Sequence, residues 1–514
     1  MTDFPSLNLP ALQPLDSYNQ ALAAHVHPAD WVNPNPRPQY DLVVIGGGTA
    51  GLVTAAGAAG LGASVALIER ELLGGDCLNV GCVPSKALIR SAAACADIRS
   101  VAEFGVKLSG DPITDFPAVM QRLRRLRSGI SEHDSAARFR SLGVDVFIGS
   151  GRFTGRQTIE VNSSSLRFRR AVIASGARAA VPQIPGLEAT GFLTNETIFS
   201  LTHLPPRLAV IGTGPIGCEL SQAFARLGSK VQLLGGGHLF LAAEDRQAAD
   251  RVEAALVNDG VEIISDQSIL RIAPTADNRK VIYFSGPGSV SSITVDTILV
   301  ATGRTPNCQG LNLEAAGVAW ESRQGVLVDD FLRTKNKMIY AAGDVCSAFK
   351  FTHAADAMAR IVLRNALFFG RDRVSNLIIP HCTYTDPEVA GVGRSESQLK
   401  KAGIRFKTIR VDMKSMDRAI LEGQTDGFLE VHLAAGKDHI LGATLVARHA
   451  GEMISELALA MTAGLGLSAI AKTIHPYPTQ SEIFKRAGDA FSRTRLTPRT
   501  ARILQALIKI RRWM

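Results

Sequence analysis

Cysteine is sparse in this chain and unevenly placed. Seven occur in 514 residues, an odd number and mostly scattered, which excludes the paired framework of a small secreted disulfide protein. None follows Cys382. No apolar run reaches the length of a membrane span, and the acidic, proline-rich N-terminus lacks the pattern of a signal peptide. We therefore expect a cytoplasmic protein, in a compartment where a disulfide is more often catalytic than structural. Nucleic-acid motifs are also lacking, although a net charge of +9 and a pI near 9.3 suit anionic ligands such as dinucleotides. Charged residues are 20% and hydrophobic ones 46% of the chain, the balance of an ordinary soluble protein with more than one domain. Glycine is plentiful, at 47 residues, which suits an α/β fold with many phosphate-facing turns.

Two of the few cysteines stand close together in Gly74-Gly75-Asp76-Cys77-Leu78-Asn79-Val80-Gly81-Cys82-Val83-Pro84-Ser85-Lys86. Their spacing is a little more than one helical turn, so a helix starting here can bring the sulfurs together. No second Cys or His pair follows at ligand spacing, which excludes a zinc site. We read Cys77 and Cys82 as a redox-active disulfide; two buried free thiols are the other reading.

The stretch Tyr40–Ile45 reads as a buried parallel strand. Gly46, Gly48, Thr49, Ala50 and Gly51 follow it, then an Ala/Gly-rich helix and a second strand ending at Glu69 and Arg70. This is a dinucleotide fingerprint in its strand–turn–helix context: the glycines let backbone approach a pyrophosphate, and Glu69 can accept from a ribose. A second fingerprint runs from Leu208 through Gly212, Gly214 and Gly217 to Glu219. Its second strand ends at Gly235-Gly236-Gly237-His238, where an acid would grip an unphosphorylated ribose. Neither that acid nor an arginine is present there, so NADPH or NADH stays open with a lean to NADPH; His238, Lys230 or Arg246 can be imagined reaching a 2′-phosphate.

The cysteine stretch resembles the active-site signature of the class I pyridine nucleotide-disulfide oxidoreductases, which include dihydrolipoamide dehydrogenase, glutathione reductase and mercuric reductase. The resemblance runs from about Asp41 to about Leu496 and implies two Rossmann-like FAD/NAD(P)-binding domains plus a C-terminal α+β dimerisation domain. Expected boundaries are an irregular arm at 1–39, the FAD domain at 40–186 and 305–376, the NAD(P) domain at 187–304, the dimerisation domain at 377–496 and a basic tail at 497–514. The implied first cofactor is FAD. It would be contacted by Gly75, Asp76, Lys86, Ser175, Gly176, Gly303, Arg304, Gly343 and Asp344, with the helix from Phe351 beneath the ring. Cys82 would be the flavin-proximal sulfur and Cys77 the exchanging thiol. Lys86 would pair with Glu219, and the assembly would be a homodimer.

Near the end stands His475-Pro476-Tyr477-Pro478-Thr479-Gln480-Ser481-Glu482. In the disulfide reductases a histidine precedes Pro-Thr and serves as acid–base with a following glutamate. In this register Tyr477 fills that position, with Glu482 after it and His475 two residues before. A phenol with a pKa near 10 is a poor proton shuttle at neutral pH. The substitution resembles mercuric reductase, yet the C-terminal vicinal cysteines of that enzyme are missing, as is the N-terminal metal-binding domain many of them carry. The expected function is an FAD-dependent NAD(P)H oxidoreductase, mercuric-reductase-like, reducing a metal ion or a thiol/disulfide, with transient metal binding at Cys77 and Cys82. A dihydrolipoamide-dehydrogenase-like reductase using His475 is the first alternative. A membrane-associated flavoprotein passing electrons to a partner or quinone is the second, because the tail 498–514 is basic and apolar. A terminal helix packed on the body or a partner subunit is the other reading of that tail.

Overall fold

In a computed structural model of the chain, residues 9–110, 113–236, 239–264, 267–286 and 289–513 are described. The chain divides into two compact units, Met1–His238 with Gly260–Leu377, and Leu239–Asp259 with Ile378–Met514.

The first unit begins with a surprise in the arm. Its prolines led us to expect irregular chain, but the window from Leu15 to His27 has none, and α1 forms there over Ser17–Val26. Asp16 caps it, accepting from the amides of Tyr18 and Asn19, while Leu22 and Val26 are fully buried. Trp31 anchors the rest of the arm through Nε1 to the Val146 carbonyl at 3.1 Å. Leu15 remains exposed and anchors nothing.

Strand β1 (Tyr40–Ile45), helix α2 (Thr49–Gly60) and strand β2 (Val65–Glu69) follow. Next come the short helix α3 (Gly75–Asn79) and the longer helices α4 (Cys82–Ser100) and α5 (Phe116–Ser131). A parallel sheet runs in the order Val144–Ile148, β2, β1, Ser164–Ile173, Ile339–Ala341, with Val44 opposite both Leu67 and Val172. β1, β2 and Ile339–Ala341 are mostly apolar and buried, as strands covered on both faces are.

The motif then repeats. Strand β3 (Arg207–Ile211), helix α6 (Pro215–Leu227) and strand β4 (Lys230–Leu234) join Glu262–Ile264 and Thr297–Val300 in a second parallel sheet. A three-stranded antiparallel sheet lies between its last two strands in sequence. The chain returns to the first sheet at Ile339–Ala341, then forms helix α7 (Thr352–Leu367). A Cβ on Gly57 would stand 2.5 Å from Leu363 Cδ1, so the bare face of α2 is what lets α7 pack against it.

The second unit is a five-stranded antiparallel sheet, ordered Pro380–Thr383, Glu388–Gly393, Ile440–Ala447, Phe428–Ala434, Phe406–Asp412, with helix α8 (Glu482–Thr494) burying Ile483, Phe484, Ala487 and Phe491. Helix α9 (Pro498–Arg511) ends the chain. The helix Arg246–Asn258, expected inside the 187–304 segment, groups with this unit, where Gln247 meets Arg410 at 2.7 Å and Arg251 meets Asp426 at 2.6 Å. Among the described residues no helix is long and apolar enough to cross a membrane.

Candidate active site

The two fingerprints are built alike. A Cβ on Gly51 would meet the Gly46 carbonyl oxygen at 1.8 Å, and one on Gly217 would meet the Gly212 carbonyl oxygen at 1.9 Å. Gly46 and Gly212 in turn abut the carbonyls of Ala174 and Ala301. Each turn therefore delivers its chain straight into a helix N-terminus, capped by Gly48 in α2 and Gly214 in α6, with Thr49 and Ala50 opening the first. Such termini carry bare amides and positive potential, the setting for a pyrophosphate.

Helix α3 sits directly on the first turn. A Cβ on Gly75 would stand 2.7 Å from Gly48 Cα. That approach carries Cys77 and Cys82 to the edge of the dinucleotide cradle. Cys77 and Cys82 stand side by side there, their thiols hydrogen-bonded to each other. The bond from Cys77 lowers the Cys82 thiol to about 6, aided by Thr352 and the Lys86 charge, while sharing that hydrogen with Cys82 and burial push Cys77 up. Cys82, the more exposed of the two, has its Sγ 3.4 Å from Thr352 Oγ1 in the first turn of α7. Cys77, expected as the outward sulfur, is half-buried.

Lys86 Nζ lies 2.9 Å from Glu219 Oε2, so the active-site helix α4 meets α6 as expected. Glu219 is buried and Lys86 half-exposed. Ser175 and Asn307 tie the two small-residue turns: Ser175 Oγ donates to the Asn307 carbonyl at 2.7 Å, Asn307 Nδ2 to the Ser175 carbonyl at 3.0 Å, and the Asn307 amide to Gly176. Gly303 and Arg304 follow, and Arg304 pairs with Asp76. Gly343 brings Asp344 beside Arg304, where burial raises the Asp344 carboxyl. Glu69 is buried, accepting from the amides of Gly47 at 2.6 Å and Glu71 at 2.7 Å. Arg70 turns outward to Glu71.

An FAD fits this cradle. Arg304 Nε is buried, lies 3.2 Å from Asp344 Oδ2 off the direction of a hydrogen bond, and has no hydrogen-bond partner among the described residues. With Asp344 desolvated beside it and the glycine turn bare of side chains, the polar groups point at a ligand with hydroxyls and phosphates.

The C-terminal candidates do not converge. His475 is packed with Nε2 3.0 Å from Glu456 Oε1 and Nδ1 3.1 Å from the Thr473 carbonyl. Tyr477 is exposed and donates to Asp417 Oδ2 at 2.7 Å, which raises its pKa. Glu482 pairs with Arg486 at 3.2 Å. Neither His475 nor Tyr477 is bonded to Glu482 as the family register implied. His238 lies outside the described residues, and the Arg246 guanidinium is engaged by Asp250 and the Phe240 carbonyl.

Two residues escaped the sequence. Thr352 was read only as part of a helix start. Arg127 drew no reading from the sequence, yet it is fully buried. It donates to the Asn79 carbonyl at 2.6 Å, the Ala11 carbonyl at 2.7 Å and Asn19 Oδ1 at 2.7 Å. It thus clamps the N-terminal arm to the turn between the cysteines. Nothing in a single sequence marks that.

Residues 40–359 match the pyridine nucleotide-disulphide oxidoreductase model, and residues 379–488 match the dimerisation domain of the same family. The chain belongs to this family. It is an FAD-dependent oxidoreductase of NAD(P)H with a dimerisation domain. The mercuric reductase of Lysinibacillus sphaericus is 34% identical, covering 88% of this chain and 83% of its own. The dihydrolipoyl dehydrogenase of Thermus scotoductus is 33% identical over 88% and 97%. A solved Cu(II) complex of the HOCl-induced flavoprotein disulfide reductase RclA from Escherichia coli is 29% identical with a TM-score of 0.77, covering 87% of this chain and 98% of that one.

Proposed function

We propose that this oxidoreductase is mercuric-reductase-like: it passes electrons from NAD(P)H to Cys77 and Cys82 and from there to a soft metal ion held by thiolates, or to a thiol or disulfide. FAD would be held by the glycine turn, Asp76, Arg304 and Asp344, and would supply the two-electron link between nicotinamide and sulfur. The oxidised pair takes up two electrons and one proton as its S–S bond breaks, leaving the Cys82 thiolate and the Cys77 thiol. Lys86 keeps positive charge beside that thiolate, and Glu219 fixes the lysine's position. Cys77 then replaces a thiolate ligand on the metal; its proton leaves with the displaced thiol. As the Cys82 thiolate attacks the Cys77 sulfur and the S–S bond re-forms, the metal ion gains two electrons and its remaining thiolate ligand leaves, so that over the cycle NAD(P)H is oxidised to NAD(P)+.

The observation that carries this reading is Tyr477. By the family register it fills the acid–base position, and its hydroxyl is tied to Asp417 with its pKa raised, which suits approach to a metal better than proton shuttling at neutral pH. The mercuric reductase relatives and the copper-complexed neighbour support it. The lean to NADPH rests on Gly235 and Gly236 at the end of β4, where NAD would be favoured by a carboxylate.

A lipoamide-type reductase is favoured by one observation, the packed His475–Glu456 pair, which has the make-up of an oriented base. Steady-state NADPH and NADH oxidation with mercuric thiolate, lipoamide and glutathione disulfide separates the readings. Turnover with the mercuric thiolate, dependent on both cysteines and exceeding that with lipoamide, is expected. Turnover confined to lipoamide and abolished by His475→Ala would overturn the proposal.

A further inference from the structure

Helix α9 has no buried residue along its whole length. Thr497 caps it, accepting from the Thr500 amide at 3.2 Å, and Pro498 opens its first turn, so it is a well-started helix and not a frayed end. Its apolar side chains are large and bare: Ile503, Leu504, Leu507, Ile508 and Ile510 are each between 47% and 60% exposed, and Trp513 just beyond is 92% exposed. At helical spacing Ile510, Ile503, Leu507, Leu504 and Ile508 fall on one arc of roughly 160°. Arg499, Arg502, Lys509 and Arg512 fall on the opposite arc, and Arg511 enters the apolar one only in the last turn. A contiguous apolar stripe left open on a soluble body marks a contact surface.

The charge pattern selects the partner. Asp489 is the last acidic residue; the 25 that follow hold seven Lys or Arg and no acid. Those cations account for most of the chain's net +9. A surface offering both apolar depth and a dense field of negative charge matches this helix: a bilayer with anionic headgroups. Cationic side chains flanking a leucine–isoleucine stripe, with a tryptophan at the end, are the make-up of a helix lying in the interfacial plane. The helix is too short and too charged to span. We propose that residues 498–513 dock this oxidoreductase on an anionic membrane surface, with the apolar arc in the acyl boundary and the basic arc on the phosphates. Among the described residues its first turn is tied to the preceding chain by a bond from Thr500 Oγ1 to the Arg495 carbonyl at 3.1 Å. The proposal is independent of which acceptor the cysteines serve.

The test is flotation of the full-length, FAD-loaded protein with vesicles of phosphatidylcholine alone and of phosphatidylcholine with phosphatidylserine, at low and high salt. At least ten-fold more protein is expected on the phosphatidylserine vesicles, falling at high salt. Removal of residues 497–514, or the double change Leu504→Glu with Leu507→Glu, should abolish binding while NADPH oxidation in solution and the mass by light scattering stay unchanged. The Trp513 fluorescence should shift to the blue on vesicle addition and be lost in Trp513→Phe. No binding, equal binding to neutral vesicles, or binding that survives truncation would overturn it. So would a fall in oligomer mass on truncation, which would assign the stripe to a second copy of the chain.

Discussion

Lys86 and Glu219, 133 residues apart, meet with Nζ 2.9 Å from Oε2 and join the active-site helix to the second dinucleotide fold. The Lys86 charge lies close enough to Cys82 to help lower its thiol, while the Glu219 carboxylate acts against it. Replacing Lys86 by Met should slow NAD(P)H-driven reduction of the bound flavin by about ten-fold or more, equivalent to roughly 1.4 kcal/mol of barrier. Glu219→Gln should slow it less, because the lysine charge remains. Anaerobic stopped-flow absorbance checks both.

The strand–glycine–helix runs and both cysteines carried local or spacing signals, whereas the pairing of Lys86 with Glu219 came only from the family resemblance; the structure brings the two together. The Gly51 and Gly217 contacts show why the glycine runs were legible: the backbone geometry leaves no room for another residue, so the chemistry is written in the sequence. Other features were not readable. Arg127 works through three partners brought from 48 to 116 residues away, and its helix looks like any amphipathic one. The helix in the arm was masked by prolines on either side of a proline-free window. Tyr477 and His475 were found by register, but their partners Asp417 and Glu456 came only from the fold.

The thiolate gives a pH prediction. Cys82 is depressed, so its charged form persists above about 6 and is lost as pH falls through that value. The ultraviolet thiolate absorbance of the reduced protein should titrate there. Cys77→Ala removes the largest cause, and the midpoint should climb toward the ordinary thiol value of about 8.5. Thr352→Val should move it upward by less.

Arg127 gives a stability prediction. Arg127→Met orphans two buried carbonyls and the Asn19 side-chain oxygen, and each unmade bond of this kind costs about 1–3 kcal/mol. Urea unfolding should show a loss of several kcal/mol at this scale. Deleting the arm through Val26 should speed alkylation of Cys77, since the turn it braces would loosen.

The two C-terminal candidates should behave oppositely. Tyr477→Phe should lower metal-dependent turnover several-fold with little change in NADPH affinity. His475→Ala should leave metal turnover within about two-fold and show its effect as reduced thermal stability through the lost Glu456 contact. Steady-state kinetics beside a melting curve distinguishes them.

The central claim is that Cys77 and Cys82 store an electron pair. Anaerobic titration of the oxidised, FAD-loaded protein with NADPH measures this directly, by counting the equivalents taken up before free NADPH accumulates. Wild type should accept one electron pair per subunit more than Cys82→Ser, with two thiols appearing to a thiol reagent; equal uptake by the two proteins would contradict the account.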